Sequence, residues 1–210
     1  MIQDAMKILL FTVSFFLSQV PILAQQVSDQ QVKKFLDDHR GTWHDLNVPY
    51  EDGQVLYDLI TKNKYTSALE IGTSTGHSTV WIAWALSKTG GKLITIEIDE
   101  GRHQQALENL KKAGLSHIVD ARLGNAHDLV KKLPGPFDFV FSDADKAWYI
   151  QYFKDIEPKL KVGGCFTAHN VSNNFGGTKE FVDYIMALDG YDTSIDKTSR
   201  SGISVSYKRK

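Results

Sequence analysis

The sequence predicts an α/β fold, with a single domain built on a doubly wound, mostly parallel sheet. Strand-like and helix-like segments alternate from residue 68 onward, which is typical of parallel strands joined by helical crossovers. A loop with a glycine at each end, residues 72–76, joins the first of these strands to a helix. The last two strand-like segments have no helix between them, so we expect an antiparallel hairpin at one edge of the sheet.

Apolar patterning places the individual elements. Strands are predicted at 68–71, 93–98, 118–123, 137–141, 164–168, 191–196 and 203–207. Helical spacing of apolar residues occurs at 77–87, 101–113, 126–133, 148–160 and 178–188. Two helices precede the first strand. One begins at Ser28 or Asp29, either of which can cap it, and ends at Gly41, and the other covers residues 51–63.

Length and composition indicate one globular domain without a polyanionic partner. The chain has 210 residues, enough for a sizeable core, and 24 Lys and Arg residues nearly balance 25 Asp and Glu residues. No basic stripe stands out, so we expect no nucleic-acid partner. Cys165 is the only cysteine, which excludes an intrachain disulfide and a cysteine zinc cluster.

Residues 1–24 differ in kind from the rest of the chain. Lys7 precedes the apolar run 8–17 and the small residue Ala24 closes the segment, a pattern typical of a secretory signal peptide. If the apolar run is taken to extend further along the chain, it predicts a membrane anchor instead. We therefore expect an exported or periplasmic protein, or one that contacts a membrane through this segment only, with the folded domain at 25–210.

The glycine loop and the end of the following strand predict a nucleoside site. Gly72 and Gly76 have no Cβ, so a ligand can approach the backbone closely, and the helix that follows begins with unpaired N–H groups. Glu97 ends the next strand, which is where open α/β sheets hold the ribose of a nucleoside. The loop lacks the G-x-G-x-x-G pattern of dinucleotide sites. It therefore fits a nucleoside ligand without phosphates, such as S-adenosylmethionine (SAM).

Polar side chains follow all five of the predicted parallel strands. The carboxyl ends of parallel strands meet at one edge of a sheet, so these side chains are expected to converge there. Any one of them is also explained as a helix cap; Asp143, for example, can cap the helix that follows it. Together they indicate a binding rim, which comprises Glu70, Gly72, Glu97, Asn125, Ala126, His127, Asp143, Asp145, Lys146, His169 and Asn170.

Several motifs recur in a fixed order along the chain. They are Asn47-Val48, Leu69-Glu70-Ile71-Gly72 with Gly76, Ile96-Glu97, Phe141-Ser142-Asp143-Ala144-Asp145-Lys146, Gly163-Gly164 and Asn170-Val171. With them the chain resembles the family of catechol O-methyltransferases and caffeoyl-CoA O-methyltransferases, from about Trp43 to the C-terminus. The resemblance implies a Rossmann-like sheet of seven strands, SAM as methyl donor, and transfer to a hydroxyl of a catechol-like or other phenolic small molecule.

The resemblance also implies roles for particular residues. Glu97 is expected to accept both ribose hydroxyls, Lys146 to take the proton of the acceptor hydroxyl, and Asp143 to lie near the sulfonium. The residues expected to contact SAM are Val48, Glu70, Gly72, Gly76, Ser78, Glu97, Ile98, Ala126, His127 and Asp143. The expected catalytic residues are Lys146, Asp143 and His169.

One residue departs from the family pattern. The family has Asp-Asn after the fifth strand, whereas this chain has His169-Asn170. A metal site formed by Asp143, His169 and Asn170 would bind Mg²⁺ weakly and would suit Fe²⁺, Mn²⁺ or Zn²⁺ better. Alternatively no metal binds, and His169 acts as a base or a hydrogen-bond donor. In that case a cationic Lys146 could stabilise a phenolate electrostatically.

Other interpretations remain open at this stage. A SAM-binding protein that has lost methyl transfer, or performs it without metal, is the main alternative, with His169 as its support. A nicotinamide-dependent dehydrogenase is disfavoured by the missing second glycine of the dinucleotide loop. The aromatic residues Trp43, Trp148 and Phe175 are expected to form walls for a flat acceptor, and residues 173–177 to close over it. The sequence also leaves a homodimer open.

Overall fold

The computed structural model describes residues 27–174 and 176–210 of the chain. The predicted signal peptide or anchor at residues 1–24 lies outside this part, and so does Phe175. Across the described ranges, no helix combines the length and the apolar character needed to span a bilayer.

The seven strands form one sheet in the order β3-β2-β1-β4-β5-β7-β6. The first five strands are parallel, whereas β7 is antiparallel to both β5 and β6. The predicted doubly wound sheet and its antiparallel edge hairpin are therefore confirmed. The strands are β1 (Ser67–Ile71), β2 (Lys92–Glu97), β3 (Val119–Leu123), β4 (Phe137–Ser142), β5 (Leu160–His169), β6 (Tyr191–Asp196) and β7 (Ile203–Lys208).

The helices cover both faces of this sheet, at nearly the predicted places. They are α1 (Asp29–Asp38), α2 (Tyr50–Asn63), α3 (His77–Thr89), α4 (Glu100–Ala113), α5 (Ala126–Leu129), α6 (Tyr149–Ile156) and α7 (Thr178–Met186). The predicted helix at 148–160 is shorter in the structure, because a 3₁₀ turn containing Pro158 follows Ile156 and proline cannot continue the α-helical hydrogen bonds. Likewise α5 passes into a 3₁₀ turn at Val130–Lys132.

Strand β5 begins four residues before the predicted start at residue 164. The pairing register of β4 with β5 shifts between Phe137 and Phe139, and Gly163 has a φ of 79°. Such a left-handed residue is typical of a β-bulge, which interrupts the alternating pattern on which the prediction relied. The longer strand still delivers His169 to the carboxyl edge of the sheet.

Two apolar cores lie on opposite faces of the sheet. On one face, helices α1 to α4 pack against Phe139 and Phe141 of β4. On the other, α5, α6 and α7 pack against Val140 of the same strand and Phe166 of β5. Side chains alternate between faces along β4, so this central strand contributes to both cores and is buried throughout.

Helix α2 lies unusually close to α3 at Gly53. A Cβ added to Gly53 would lie 2.1 Å from Cδ1 of Trp81, a side chain that is itself only 1% exposed. Glycine at this position therefore lets the backbone of α2 contact the indole ring directly. The close contact sets the position of the neighbouring residue Asp52, which is fully buried.

The variant Gly53→Ala should be less stable than the wild type, although alanine is the better helix former. Helix propensity alone predicts a gain of about 1 kcal/mol, but forcing a methyl group into the Trp81 ring should cost about 1–3 kcal/mol. Chemical denaturation measures the difference. Gly101→Ala, on the exposed start of α4, is the matched control and should not destabilise the chain. Equal stability of the two variants would contradict the packing argument.

Candidate active site

A cleft of about 1030 Å³ opens at the carboxyl edge of the sheet. Its volume is that of a site for a cofactor together with a small molecule. Strands β1, β2, β4 and β5 end on it, as the sequence predicts for an open α/β sheet. The predicted site residues that line it are Gly72, Glu97, Ile98, Ala126, His127, Asp143, Lys146, His169 and Asn170.

Two predicted cofactor residues, Glu70 and Ser78, form a buried polar cluster near the cleft. Each oxygen of the Glu70 carboxylate accepts hydroxyl hydrogen bonds of 2.6 Å, one from Ser78 and the other from Thr79 and Thr95. Complete burial raises the pKa of Glu70 to about 7, although these three hydroxyls favour the charged form. The cluster connects the start of α3 to β1 and β2, and so stabilises the glycine loop that joins β1 to α3.

The glycines of the loop make room for the protein's own backbone. Gly72 has a φ of 101°, and a Cβ there would lie 2.9 Å from the carbonyl carbon of Asp143. Gly76 has a φ of 97°, and its Cβ would lie 3.3 Å from that of Ala106 on α4. Close approach of a ligand to both glycines stays a prediction, and the structure adds close approach of the chain after β4 and of α4. Of the two, Gly72 also borders the cleft.

Glu97 lies at the end of β2 with most of its hydrogen-bonding capacity already used. One carboxylate oxygen accepts from the backbone N–H groups of Ile98 (3.0 Å) and Asp99 (2.9 Å). The other accepts from the N–H of Ser74 at 2.7 Å. A carboxylate has about four acceptor positions, so about one is left for a ligand hydroxyl. The open position can accept one ribose hydroxyl, and the expectation that Glu97 binds both stays a prediction.

A rim segment, residues 45–47, lies over the glycine loop. Asn47 donates to Thr75 Oγ1 at 2.8 Å and accepts from the backbone N–H of His77 at 3.3 Å. It thereby caps α3, whose own N-cap residue Gly76 has no side chain to do so. Asp45 pairs with Arg102 through two hydrogen bonds of 2.8 Å. This pair joins residues 57 positions apart, and no local pattern in the sequence signals it.

Val48 and the ring of His77 fasten this rim to the core. The His77 ring Nδ1 lies 2.8 Å from the carbonyl oxygen of Val48, and Nε2 accepts from the indole N–H of Trp81 at 3.2 Å. Val48 is buried and meets α3 through its backbone. Trp43 stacks on the His77 ring with centroids 4.6 Å apart, so it packs here and does not form the acceptor wall that we expected.

His127 and Trp148 form a parallel ring stack beside the cleft. Their centroids are 3.6 Å apart and the ring planes differ by 12°. His127 Nε2 also lies 3.3 Å from Asp145 Oδ2. His127 lines the cleft, and Trp148 supports it from the other side. The indole therefore orients a cleft residue, a role that differs from the predicted acceptor wall.

A continuous row of four charged side chains reaches from α2 into the cleft. Asp52 Oδ2 lies 2.7 Å from His169 Nε2, and His169 Nδ1 lies 3.2 Å from Asp143 Oδ2. Lys146 Nζ donates to Asp143 Oδ1 at 2.5 Å. Ser199, in the turn between β6 and β7, donates to Asp52 Oδ2 at 2.8 Å. No sequence motif pointed to Asp52, which lies 117 residues from His169 in the chain.

The row favours the charged forms of its two central members, His169 and Asp143, in spite of burial. Burial opposes a charged imidazole, yet the carboxylates of Asp143 and Asp52 raise the pKa of His169 to about 9. Burial likewise opposes a charged carboxylate, yet His169 and Lys146 lower the pKa of Asp143. Counted at their formal charges, the four side chains alternate in sign along the row and sum to zero.

The donor set expected for a divalent metal does not fit this arrangement. Of the three expected ligands, His169 points both ring nitrogens at carboxylates, and Asp143 has both oxygens engaged. Asn170 lines the cleft but cannot form a site alone. Within residues 27–174 and 176–210, no group of three or more His, Cys, Asp or Glu side chains could hold a metal ion.

Comparison with known proteins identifies the family. A sequence model described as O-methyltransferase matches residues 24–180. The chain belongs to this O-methyltransferase family. Two curated relatives are a catechol O-methyltransferase of Niastella koreensis, 38% identical over 130 residues, and a caffeoyl-CoA O-methyltransferase of Medicago sativa, 34% identical over 134 residues. These alignments cover 60% and 61% of this chain but only 58% and 54% of the relatives, so the chain spans little more than half of their length.

Solved structures of the same fold cover nearly the whole chain. The O-methyltransferase from Bacillus cereus in complex with SAH is 26% identical, with a TM-score of 0.75 over 90% of this chain and 94% of its own. The O-methyltransferase TomG from Streptomyces achromogenes, in complex with SAM, is 25% identical, with a TM-score of 0.74 over 89% and 93%. The resemblance and the fold class predicted from the sequence motifs are thereby confirmed.

Lowering the pH should destabilise the chain through His77. Burial lowers the pKa of His77 from its ordinary 6.5 to about 4, although the hydrogen bond to Val48 opposes the shift. Between about pH 7.5 and about pH 5.5 the unfolded chain therefore binds a proton that the folded chain does not, which should cost about 1 kcal/mol of stability.

Urea denaturation at both pH values tests this. The wild type should lose about 1 kcal/mol more than His77→Gln over the interval, because the variant lacks the titrating group. His117→Gln, at an exposed histidine, should keep the wild-type pH dependence. Parallel pH profiles for the wild type and His77→Gln would contradict the burial of a neutral His77.

Proposed function

We propose that this chain is a SAM-dependent O-methyltransferase that acts on a hydroxyl group of a catechol-like or other phenolic small molecule. The observation that carries the proposal is that Glu97 and the pair Asp143–Lys146 open onto the same cleft. Glu97 can hold a nucleoside, and the Asp143–Lys146 pair can receive an oxygen nucleophile. Membership of the O-methyltransferase family and the SAM and SAH complexes of structural relatives support it.

In this proposal the cofactor lies along the ends of β1, β2 and β3. Glu97 accepts a ribose hydroxyl, and Ile98, which is 66% exposed in the structure, offers an apolar surface for the adenine. The backbone at Gly72 lies beside Asp143, and here the sulfonium would meet a negative charge. Ala126 and His127 form the far wall.

The reaction is an in-line displacement at the methyl carbon. The acceptor's oxygen forms the new C–O bond as the C–S bond breaks, and the electron pair of that bond leaves on sulfur, which yields a methyl ether and a neutral thioether. Much of the acceleration comes from holding the oxygen opposite the sulfur. A phenol, with a pKa of about 10, must also lose its proton, which passes to solvent water, and a nearby cation favours the phenolate form.

Lys146 is the residue that meets the acceptor oxygen. Its Nζ lies 2.5 Å from a carboxylate oxygen of Asp143 and 3.1 Å from that residue's carbonyl oxygen. An ammonium group in an ion pair is a hydrogen-bond donor, so this geometry favours Lys146 as the cation that stabilises a phenolate. The role of general base, implied by the family resemblance, would instead require a lone pair on Nζ that takes the proton of the acceptor hydroxyl.

A SAM-binding protein without methyl transfer is the second candidate. The observation that favours it is His169, which stands where the family pattern has an acidic metal ligand and is closed off by two carboxylates. Binding of SAM and SAH without turnover on a panel of catechols and other phenols would select this function. Turnover of any of those acceptors would select the transferase.

Glu97→Ala should strongly weaken SAH binding measured by calorimetry. The change removes the ribose contact and also leaves three backbone N–H groups without their acceptor, which loosens the loop that borders the cofactor. A loss of at least about 2 kcal/mol, or thirtyfold in affinity, is expected. Glu108→Ala, on the exposed face of α4, is the control and should bind as the wild type does. Unchanged binding by Glu97→Ala would refute the cofactor position.

Lys146→Ala and Lys146→Arg together separate the two roles of this lysine. Arginine keeps the positive charge but cannot give up its proton in a protein. If Lys146 acts as a cation, Lys146→Arg should retain measurable turnover while Lys146→Ala loses at least about a hundredfold in kcat. If both variants are equally inactive while still binding SAH, Lys146 acts as the base. Lys179→Ala, on exposed α7, is the control.

A further inference from the structure

We propose that His169 itself takes the place of the divalent cation, that Asp52 is the positioning residue that holds it there, and that methyl transfer by this chain needs no metal. The inference rests on the proposed function and concerns the same corner of the cleft. The observation behind it is the row Asp52–His169–Asp143–Lys146, in which each neighbouring pair lies within hydrogen-bonding distance.

The ring nitrogens of His169 leave no lone pair for a metal. Each nitrogen faces an oxygen of a different aspartate, Asp52 on one side and Asp143 on the other. An ionised carboxylate only accepts hydrogen bonds, so both nitrogens must carry hydrogen to satisfy the two contacts. A histidine ligates a metal through the lone pair of its neutral ring. The geometry therefore makes His169 a fixed cation.

Asp143 is a poor metal ligand for a different reason, which is the positive charge on both sides of it. Lys146 contacts one of its oxygens and His169 the other. A metal ion bound to either oxygen of Asp143 would therefore lie close to one of these two cations, which would repel it. The side chains of His169 and Asp143 are 4% and 9% exposed, so water would screen this repulsion only weakly.

The charge of the row also opposes a divalent ion. Two carboxylates balance one imidazolium and one ammonium, so the site is already neutral without any added ion. Adding a doubly charged cation to this buried set would leave its charge uncompensated, which is costly in a region of low dielectric constant. An acidic residue in place of His169 would reverse this balance, because the row would then carry excess negative charge.

Asp52 acts on the acceptor corner only through His169. Its side chain is 1% exposed, and its oxygen Oδ2 also accepts from Ser199 in the turn between β6 and β7. The neighbouring Gly53 fixes α2 against Trp81, so the carboxylate has a defined position. Asp52 thus orients the ring whose other nitrogen faces Asp143, at the point where the acceptor oxygen meets Lys146.

Metal binding and metal dependence can be measured separately on the full chain. After dialysis against EDTA, titration of Mg²⁺ or Mn²⁺ into the SAH-bound protein should give no saturable heat. Turnover with SAM and a catechol acceptor should be the same with EDTA as with either ion. Saturable binding of one ion per chain, or a loss of at least about tenfold in kcat on chelation that the ion restores, would overturn the proposal.

Replacing the histidine tests its role directly. In Asp52→Asn/His169→Asp the acidic ligand of the family pattern stands beside Asp143, and the carboxylate of Asp52 no longer faces it. This variant should bind Mg²⁺ or Mn²⁺ with saturable heat, and any turnover should become sensitive to EDTA. A variant that still binds SAH but takes up neither ion would contradict the assignment of His169 as the group that excludes the metal.

The single variant Asp52→Asn tests the positioning role. It should lower kcat by about tenfold or more and leave the KM for SAM unchanged, because only the orientation and charge of His169 are affected. Asp58→Asn, on the exposed face of the same helix, is the matched control. An unchanged kcat, or a rise in the KM for SAM, would refute the role. If SAH fails to bind the wild type, the proposed function falls, while the metal titration of the free chain still decides whether this site takes an ion.

Discussion

The ends of β1 and β4 lie in contact at Gly72 and Asp143, and the cleft depends on this approach. A Cβ on Gly72 would lie 2.9 Å from the carbonyl carbon of Asp143, and the Asp143 N–H donates to the carbonyl oxygen of Ile71 at 2.8 Å. The backbone of Asp143 is therefore held from the strand beside it. The Asp143 carboxylate consequently has a fixed position, and the side chains of Lys146 and His169 lie on either side of it.

Two sets of ionic contacts border the cleft, and their energies differ. Asp45 and Arg102 pair on the rim with side chains 49% and 30% exposed, where a salt bridge contributes about 0–1 kcal/mol. The contacts of His169 are almost fully buried, and removing one partner of such a pair costs about 3–5 kcal/mol. The buried row therefore sets the geometry of the acceptor corner, whereas the rim pair mainly shapes the cofactor entrance.

Sequence patterns were sufficient to predict the features that depend on residues close together in the chain. Alternating apolar segments predicted the sheet and its edge hairpin, and the positions directly after strands predicted that Glu97, Asp143 and His169 lie on one cleft. The contacts of Asp52 with His169 and of Asp45 with Arg102 join residues 117 and 57 positions apart. No periodicity links such pairs, because only the packing of α2 and of the rim segment brings them together. The contact of Gly72 with Asp143 was missed for the same reason, since the two residues are far apart in the sequence.

Helix α2 belongs both to the apolar core and to the chemistry of the cleft. On one side Gly53 lies against the Trp81 ring, and on the other Asp52 contacts His169. A hydrogen bond weakens over a few tenths of an ångström, whereas apolar contacts lose energy more gradually over the same displacement. A small shift of α2 therefore weakens the contact with His169 before it weakens the apolar contacts of the core. The close contact of Gly53 with Trp81 thus fixes the position of the charged His169 ring, which lies at the end of another element, β5.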